Sequence, residues 1–156
     1  MPMLLTGSCH CRKVKYTLES NTPVPYQMCQ CSICRKVGGY MGSVNIMGNT
    51  DTLKFVRGEE LLKKYMPVLE FGPDDKPVKM ATSERVFCSL CSAALWNYHP
   101  EYPNLPKPDV KHFTILRSSC PTYVPNPVDF DVHDDFGPAA NGSIESWHKK
   151  NGCWVE

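Results

Sequence analysis

A chain of 156 residues has room for one domain and a single core. Its 17 basic and 16 acidic side chains leave a formal net charge of +1, so no overall field draws it to nucleic acid or to an anionic membrane. Hydrophobic residues make up 42%, a globular content, yet the longest apolar runs, "MPMLL" and "AALW", are far too short to cross a bilayer.

In chain order, the N-terminal "MPMLLTGSCHC" lacks both a basic leader and an apolar stretch of signal-peptide length, which points to the cytosol, with the nucleus as the alternative. In "KVKYTLE" Val14, Tyr16 and Leu18 fall on one face and Lys13, Lys15, Thr17 and Glu19 on the other, the mark of a half-buried strand. The alternation recurs in "GSVNIMG", "DTLKFVRG", "LLKKYMPV", "VKMATSERVF", "ALWNYH" and "KHFTILRS". "RGEE", Arg57 to Glu60, reads as a turn between strands, and "FGPDDKP", Phe71 to Pro77, as a loop. From Pro121 onward proline and glycine come at close intervals, so irregular chain laid over the domain is expected, anchored by Ile144 and Trp147. With 14 prolines and 10 glycines, few windows of helical length are uninterrupted, which argues against a helix bundle. The expectation is a single, mostly antiparallel β domain over residues 1–156.

The chemistry lies in the cysteines. Nine is an odd number, so a complete disulfide framework would leave one over, and in a reducing compartment clustered thiols serve metals or catalysis. Seven fall in three groups: "SCHC" with Cys9 and Cys11, "CQCSIC" with Cys29, Cys31 and Cys34, and "FCSLC" with Cys88 and Cys91. Thiolates on one tight turn reach a single tetrahedral zinc at ~2.3 Å with little loop entropy to overcome. Two divisions are open. Cys31 and Cys34 with Cys88 and Cys91 would make an ordinary ribbon of two CxxC knuckles. Cys9 and Cys11 with Cys88 and Cys91 would instead close one site and leave Cys29, Cys31 and Cys34 around a second, open one.

"GSCHCRKVKY" (Gly7 to Tyr16), "CQCSICRKVGG" (Cys29 to Gly39) and "FCSLCSAALW" (Phe87 to Trp96) together resemble, in order and separation, the glutathione-dependent formaldehyde-activating (Gfa-like) family, which includes centromere-protein-V-like proteins. The resemblance implies a β-tent of small antiparallel sheets stapled by a four-cysteine zinc site at Cys9, Cys11, Cys88 and Cys91. It implies a catalytic zinc on Cys29, Cys31 and Cys34, hence two zinc ions per chain, with glutathione as substrate or co-substrate. The activity implied is a zinc-dependent carbon-sulfur lyase that forms or breaks S-hydroxymethylglutathione or a related small-molecule thiol adduct. The chain departs from the family in having Arg12 and Ser92 where glycine is common and Gln30 where histidine is, none of which removes a ligand.

An open zinc with three thiolates is a weak Lewis acid but a good trap for a soft thiolate, which it keeps ionised at neutral pH. Arg35 and Lys36 follow the last ligand and are candidates for binding substrate carboxylates. Gly38 and Gly39 suggest a tight turn. Two other readings stay in view: a non-catalytic, zinc-stabilised module that binds protein, and a lyase of this type for a specialised metabolite. His10 is expected to point outward, and His99, His112, His133 and His148 lack spaced partners. "DFDVHDD", Asp129 to Asp135, reads as a solvated acidic face, Cys120 and Cys153 as lone thiols, and Trp96, Trp147 and Trp154 as packing.

Overall fold

The computed structural model describes residues 2–21, 27–39, 42–99, 112–116 and 131–133. In chain order it contains β1 (Met3–Ser8), β2 (Lys15–Ser20), β3 (Gln27–Cys29), α1 (Ser32–Val37), β4 (Ser43–Met47), β5 (Lys54–Arg57), β6 (Leu62–Tyr65), β7 (Val68–Phe71), β8 (Pro77–Met80), β9 (Glu84–Cys88), β10 (Ala94–His99), β11 (His112–Leu116) and β12 (Asp131–His133). This is the expected class, strands in small antiparallel sheets.

The alternation around Tyr16 becomes β2, antiparallel to β1 on one side and to β5 on the other. The larger sheet runs β12-β3-β4-β11-β10-β9-β6, with one parallel pair, β12 beside β3. The turn expected at "RGEE" is a left-handed Gly58 and a short 3-10 turn, Glu59–Leu61, which carries the chain from the first sheet to the second.

The sheets meet through the faces that the alternation marks as apolar. Leu5, Tyr16 and Leu18 from the first join Ile46, Val86, Leu95 and Trp96 from the second in one buried cluster. Tyr16 meets Trp96 edge to face, with ring centroids 5.2 Å apart, and Phe55 lies on the same indole at 6.0 Å. Each such side chain contributes about 1.5–3 kcal/mol by leaving water. Cys9 and Cys88 belong to the same cluster, so a thiol group is part of the core.

Several elements depart from the sequence expectation. "VKMATSERVF" is two strands, β8 and β9, because the chain turns at the buried Ala81, whose N–H bonds the Pro67 carbonyl at 2.7 Å. The "FGPDDKP" loop is the tip of the β7-β8 hairpin, with Phe71 opposite Pro77. β1, β3, β7 and α1 carry too few alternating positions to be seen in advance. Within the segment after Pro121, Asp131–His133 forms a strand; Cys120, Ile144, Trp147, His148, Cys153 and Trp154 lie outside the described residues. Among the described residues no helix is long and apolar enough to cross a membrane.

Candidate metal centre

Four cysteines converge where two turns meet. Cys9 and Cys11 occupy the turn from β1 to β2, and Cys88 and Cys91 the turn from β9 to β10. In the first, Arg12 N–H bonds the Cys9 carbonyl at 3.0 Å and Val14 N–H donates to Cys9 Sγ at 3.3 Å. In the second, Ser92 N–H bonds the Cys88 carbonyl at 2.8 Å, and Cys88 N–H the Ala93 carbonyl at 3.0 Å. Each turn closes on a residue in the left-handed region, Arg12 at φ 61° and Ser92 at φ 57°. These are the two positions at which the resembled family commonly has glycine, so the turn shape is kept and side chains with a Cβ bear the strain, about 1–2 kcal/mol apiece.

The four Sγ atoms lie within 4.8 Å of one another, with Cys9 to Cys11 at 3.4 Å and Cys11 to Cys88 at 3.9 Å. A tetrahedral zinc with bonds of ~2.3 Å sets its sulfurs about 3.8 Å apart, so the donor set fits that ion. Backbone hydrogen bonds from Cys11 and Ala93 bring the Cys91 thiol down to about 6. Cys11 is drawn downward by the Lys13 backbone, but sharing with Cys9, burial, Cys91 and Cys88 push it up to about 12.

The remaining three cysteines form a separate group, so the ribbon pairing of Cys31 and Cys34 with Cys88 and Cys91 does not occur. Cys29 ends β3, Cys31 is the N-cap of α1 and Cys34 lies inside the helix. The Cys31 sulfur accepts the Cys34 N–H at 3.3 Å, satisfying a donor that the first turn leaves unpaired. Gly38 ends the helix by bonding the Cys34 carbonyl at 2.8 Å and presses on the Ser43 side chain where a Cβ would overlap Oγ; Gly39 turns at φ 129°. Gly42, at φ 104°, lies so close to the Cys29 carbonyl that a Cβ would collide with it. The three sulfurs lie within 4.8 Å of one another, Cys31 and Cys34 buried and Cys29 half-buried. Three thiols fit a zinc that keeps one place open.

Hydrogen bonds from Cys29 and Cys31 hold the Cys34 thiol down to about 3, helped by the Arg85 charge and the Ser43 hydroxyl and opposed by burial. Cys29 is pushed up because it shares protons with Cys31 and Cys34. Proton sharing within the group thus favours the thiolate at Cys34 over that at Cys29.

Beside Cys34 is a cleft of about 70 Å³, with Ser43, Ser92, Asn97 and Arg85 among its polar residues and Val37, Phe87 and Trp96 among its apolar walls. Arg85 Nε is buried and has no hydrogen-bond partner among the described residues, at a cost of about 1–3 kcal/mol or more. Asn97 donates to Asn45 at 3.1 Å and Asn45 to the Ser43 carbonyl at 2.8 Å, which ties the cleft wall to β4. Arg35 and Lys36 are exposed on the last turn of α1 and do not line the cleft. His10 is exposed, and His99 pairs with Thr82 at 3.0 Å.

Sequence reasoning missed Arg85, Ser43 and Asn97. The only signal was that Arg85 shares a strand face with Phe87, an odd position for a lone charge.

A crystal structure of a protein from Rhodobacter sphaeroides superposes with a TM-score of 0.56 at 21% identity, covering 83% of this chain and 100% of that one, which shows a shared fold. A protein of Halomonas elongata, provisionally assigned as a glutathione-dependent formaldehyde-activating enzyme, is 32% identical over 166 aligned positions, covering 96% of this chain and 98% of its own. The sequence pattern described as glutathione-dependent formaldehyde-activating enzyme matches residues 4–107, a span that contains all seven clustered cysteines. The chain therefore belongs to the glutathione-dependent formaldehyde-activating enzyme family.

Proposed function

We propose that the protein is a carbon-sulfur lyase that makes or breaks the bond between a glutathione-type thiol and formaldehyde, with zinc on Cys29, Cys31 and Cys34 and a second, structural zinc on Cys9, Cys11, Cys88 and Cys91. The observation that carries the reading is the open group itself: three sulfurs within 4.8 Å of one another, bordering a cleft, where the other group has four. When bound there, zinc would supply a free coordination place that keeps a substrate thiol ionised at neutral pH.

The protein's own side chains do the rest. Cys29, Cys31 and Cys34 set the charge of the site, and the Ser43 hydroxyl and Arg85 offset part of it at Cys34. Trp96, Phe87 and Val37 limit water around the reacting atoms. Arg35 and Lys36, exposed on the helix whose Val37 lines the cleft, are the residues we assign to carboxylates of a thiol that extends outward. The seven cysteines among the described residues are free thiols, which suits a reducing cytoplasm.

The test is Cys31→Ser with metal counting. Serine is a good N-cap, so α1 persists while one sulfur of the group is lost. Wild-type protein is expected to contain two zinc ions per chain and the variant one, with turnover of glutathione and formaldehyde reduced at least ~100-fold. Unchanged turnover would sink the mechanism. A wild-type protein that stays at one zinc after reconstitution and turns over no adduct would leave the protein-binding module as the better reading.

A further inference from the structure

Arg85 is charged, yet its immediate acidic neighbour is already taken: Glu84 pairs with Lys64 at 2.8 Å. Its Nε–H is buried, has no partner among the described residues, and belongs to the wall of the cleft that Cys34 and Ser43 also line. A buried charged donor in the wall of a mostly apolar cleft is an incomplete hydrogen-bond arrangement that an anionic oxygen would complete.

The size of the cleft limits what can supply that oxygen. About 70 Å³ holds two or three heavy atoms, given that a water takes ~30 Å³ of the liquid. We propose that the cleft is a one-carbon oxyanion pocket, in which Arg85 Nε–H donates to an oxygen of a small carbonyl or carboxylate held beside Cys34. Pocket and ligand class follow from the cleft alone; its use in catalysis rests on the lyase reading above.

In that use, the thiolate sulfur of the substrate attacks the carbonyl carbon and the C–S bond forms. The C=O π pair moves onto oxygen, giving an alkoxide that Arg85 stabilises without releasing its own proton, and water supplies the proton that makes the hydroxyl. In reverse, the hydroxyl loses its proton to water, the C=O bond re-forms, and the C–S bond breaks with its electron pair on sulfur.

The experiment titrates formate into the zinc-loaded full-length protein, following the Arg85 Nε–Hε resonance and the heat of binding, with pivalate as the bulky control. Formate is expected to bind saturably and shift that resonance, and pivalate to leave it alone. Arg85→Met should weaken formate at least tenfold while zinc content and melting temperature hold, and Arg85→Lys should recover part of the loss. Equal formate affinity in Arg85→Met, or no saturable binding to wild type, would overturn the pocket. Loss of the second zinc in both variants would also overturn it, by assigning Arg85 to holding the thiolates.

Turnover then separates the two claims. A fall in kcat of about 100-fold in Arg85→Met, with KM for the thiol unchanged, is what a lost oxyanion donor gives. Arg85-dependent formate binding in a protein with no thiol-aldehyde turnover would support the pocket and overturn only the lyase reading.

Discussion

The two cysteine groups differ most in what they connect. Cys11 and Cys88 touch across 77 positions of sequence, whereas Cys29, Cys31 and Cys34 lie within six consecutive positions on one strand-turn-helix. By loop-closure entropy, a span of 77 costs roughly 2.4 kcal/mol more to close than one of five. The long-range group is also part of the core, through Cys9 and Cys88, and the local group borders a cleft instead. A site that fixes the fold needs every coordination place filled by protein. One relieved of that duty can leave a place for a substrate.

The largest expected effect comes from breaking the long-range group. Structural zinc in small domains is worth roughly 10–16 kcal/mol, as much as the whole stability of a domain. Cys88→Ser should therefore give insoluble or unfolded protein, seen as loss of a cooperative melt by circular dichroism. A soluble Cys88→Ser variant with a normal melt would mean that the two groups are not different in kind.

A smaller effect is expected from displacing the local group without touching a sulfur. Gly42→Ala forces a Cβ into the Cys29 carbonyl and strains a φ of 104°, together about 3 kcal/mol. A chain of this size should then melt about 6–12 °C lower, with the zinc count falling from two toward one. An unchanged count would show that the open group tolerates movement of Cys29.

The smallest effect should be a gain, confined to the long-range group. Arg12→Gly and Ser92→Gly remove left-handed strain, offset by the greater freedom of glycine in the unfolded chain, for a net stabilisation of about 0.5–1 kcal/mol each. That is about 1–4 °C in melting temperature by calorimetry, with turnover unaltered in Arg12→Gly, whose position lies off the cleft. The hydrogen bond from Arg57 Nε to the Arg12 carbonyl, at 3.1 Å, survives the change because it uses backbone. A lower melting temperature in either variant would show that the side chain does something glycine cannot.

These contrasts bear on what the sequence could say. Alternation around Tyr16, Val44, Phe55 and Leu95 announced strands because each had apolar residues two apart for most of a strand's length. β3 is three residues and α1 six, too short for any period to appear, and α1 exists because Cys31 caps it and Gly38 ends it. Spacing revealed seven candidate ligands but left their division open, since local spacing carries no information about which turns meet across 77 positions. The family resemblance supplied the division, and the sulfur positions agree with it. Arg85 was invisible for another reason: its importance lies in Cys34 and Asn97, which belong to other elements, and in a missing hydrogen bond, which no sequence displays.

The 77-position reach of the long-range group also sets an order of events during synthesis. Cys9 and Cys11 leave the ribosome early and must wait, as exposed thiols, until Cys88 and Cys91 follow. The local triplet is complete by Cys34 and is the first group able to capture a metal ion. A nascent chain stalled between those points would hold the complete triplet before it has a fold, while Cys9 and Cys11 stay open to oxidants until Cys88 and Cys91 follow.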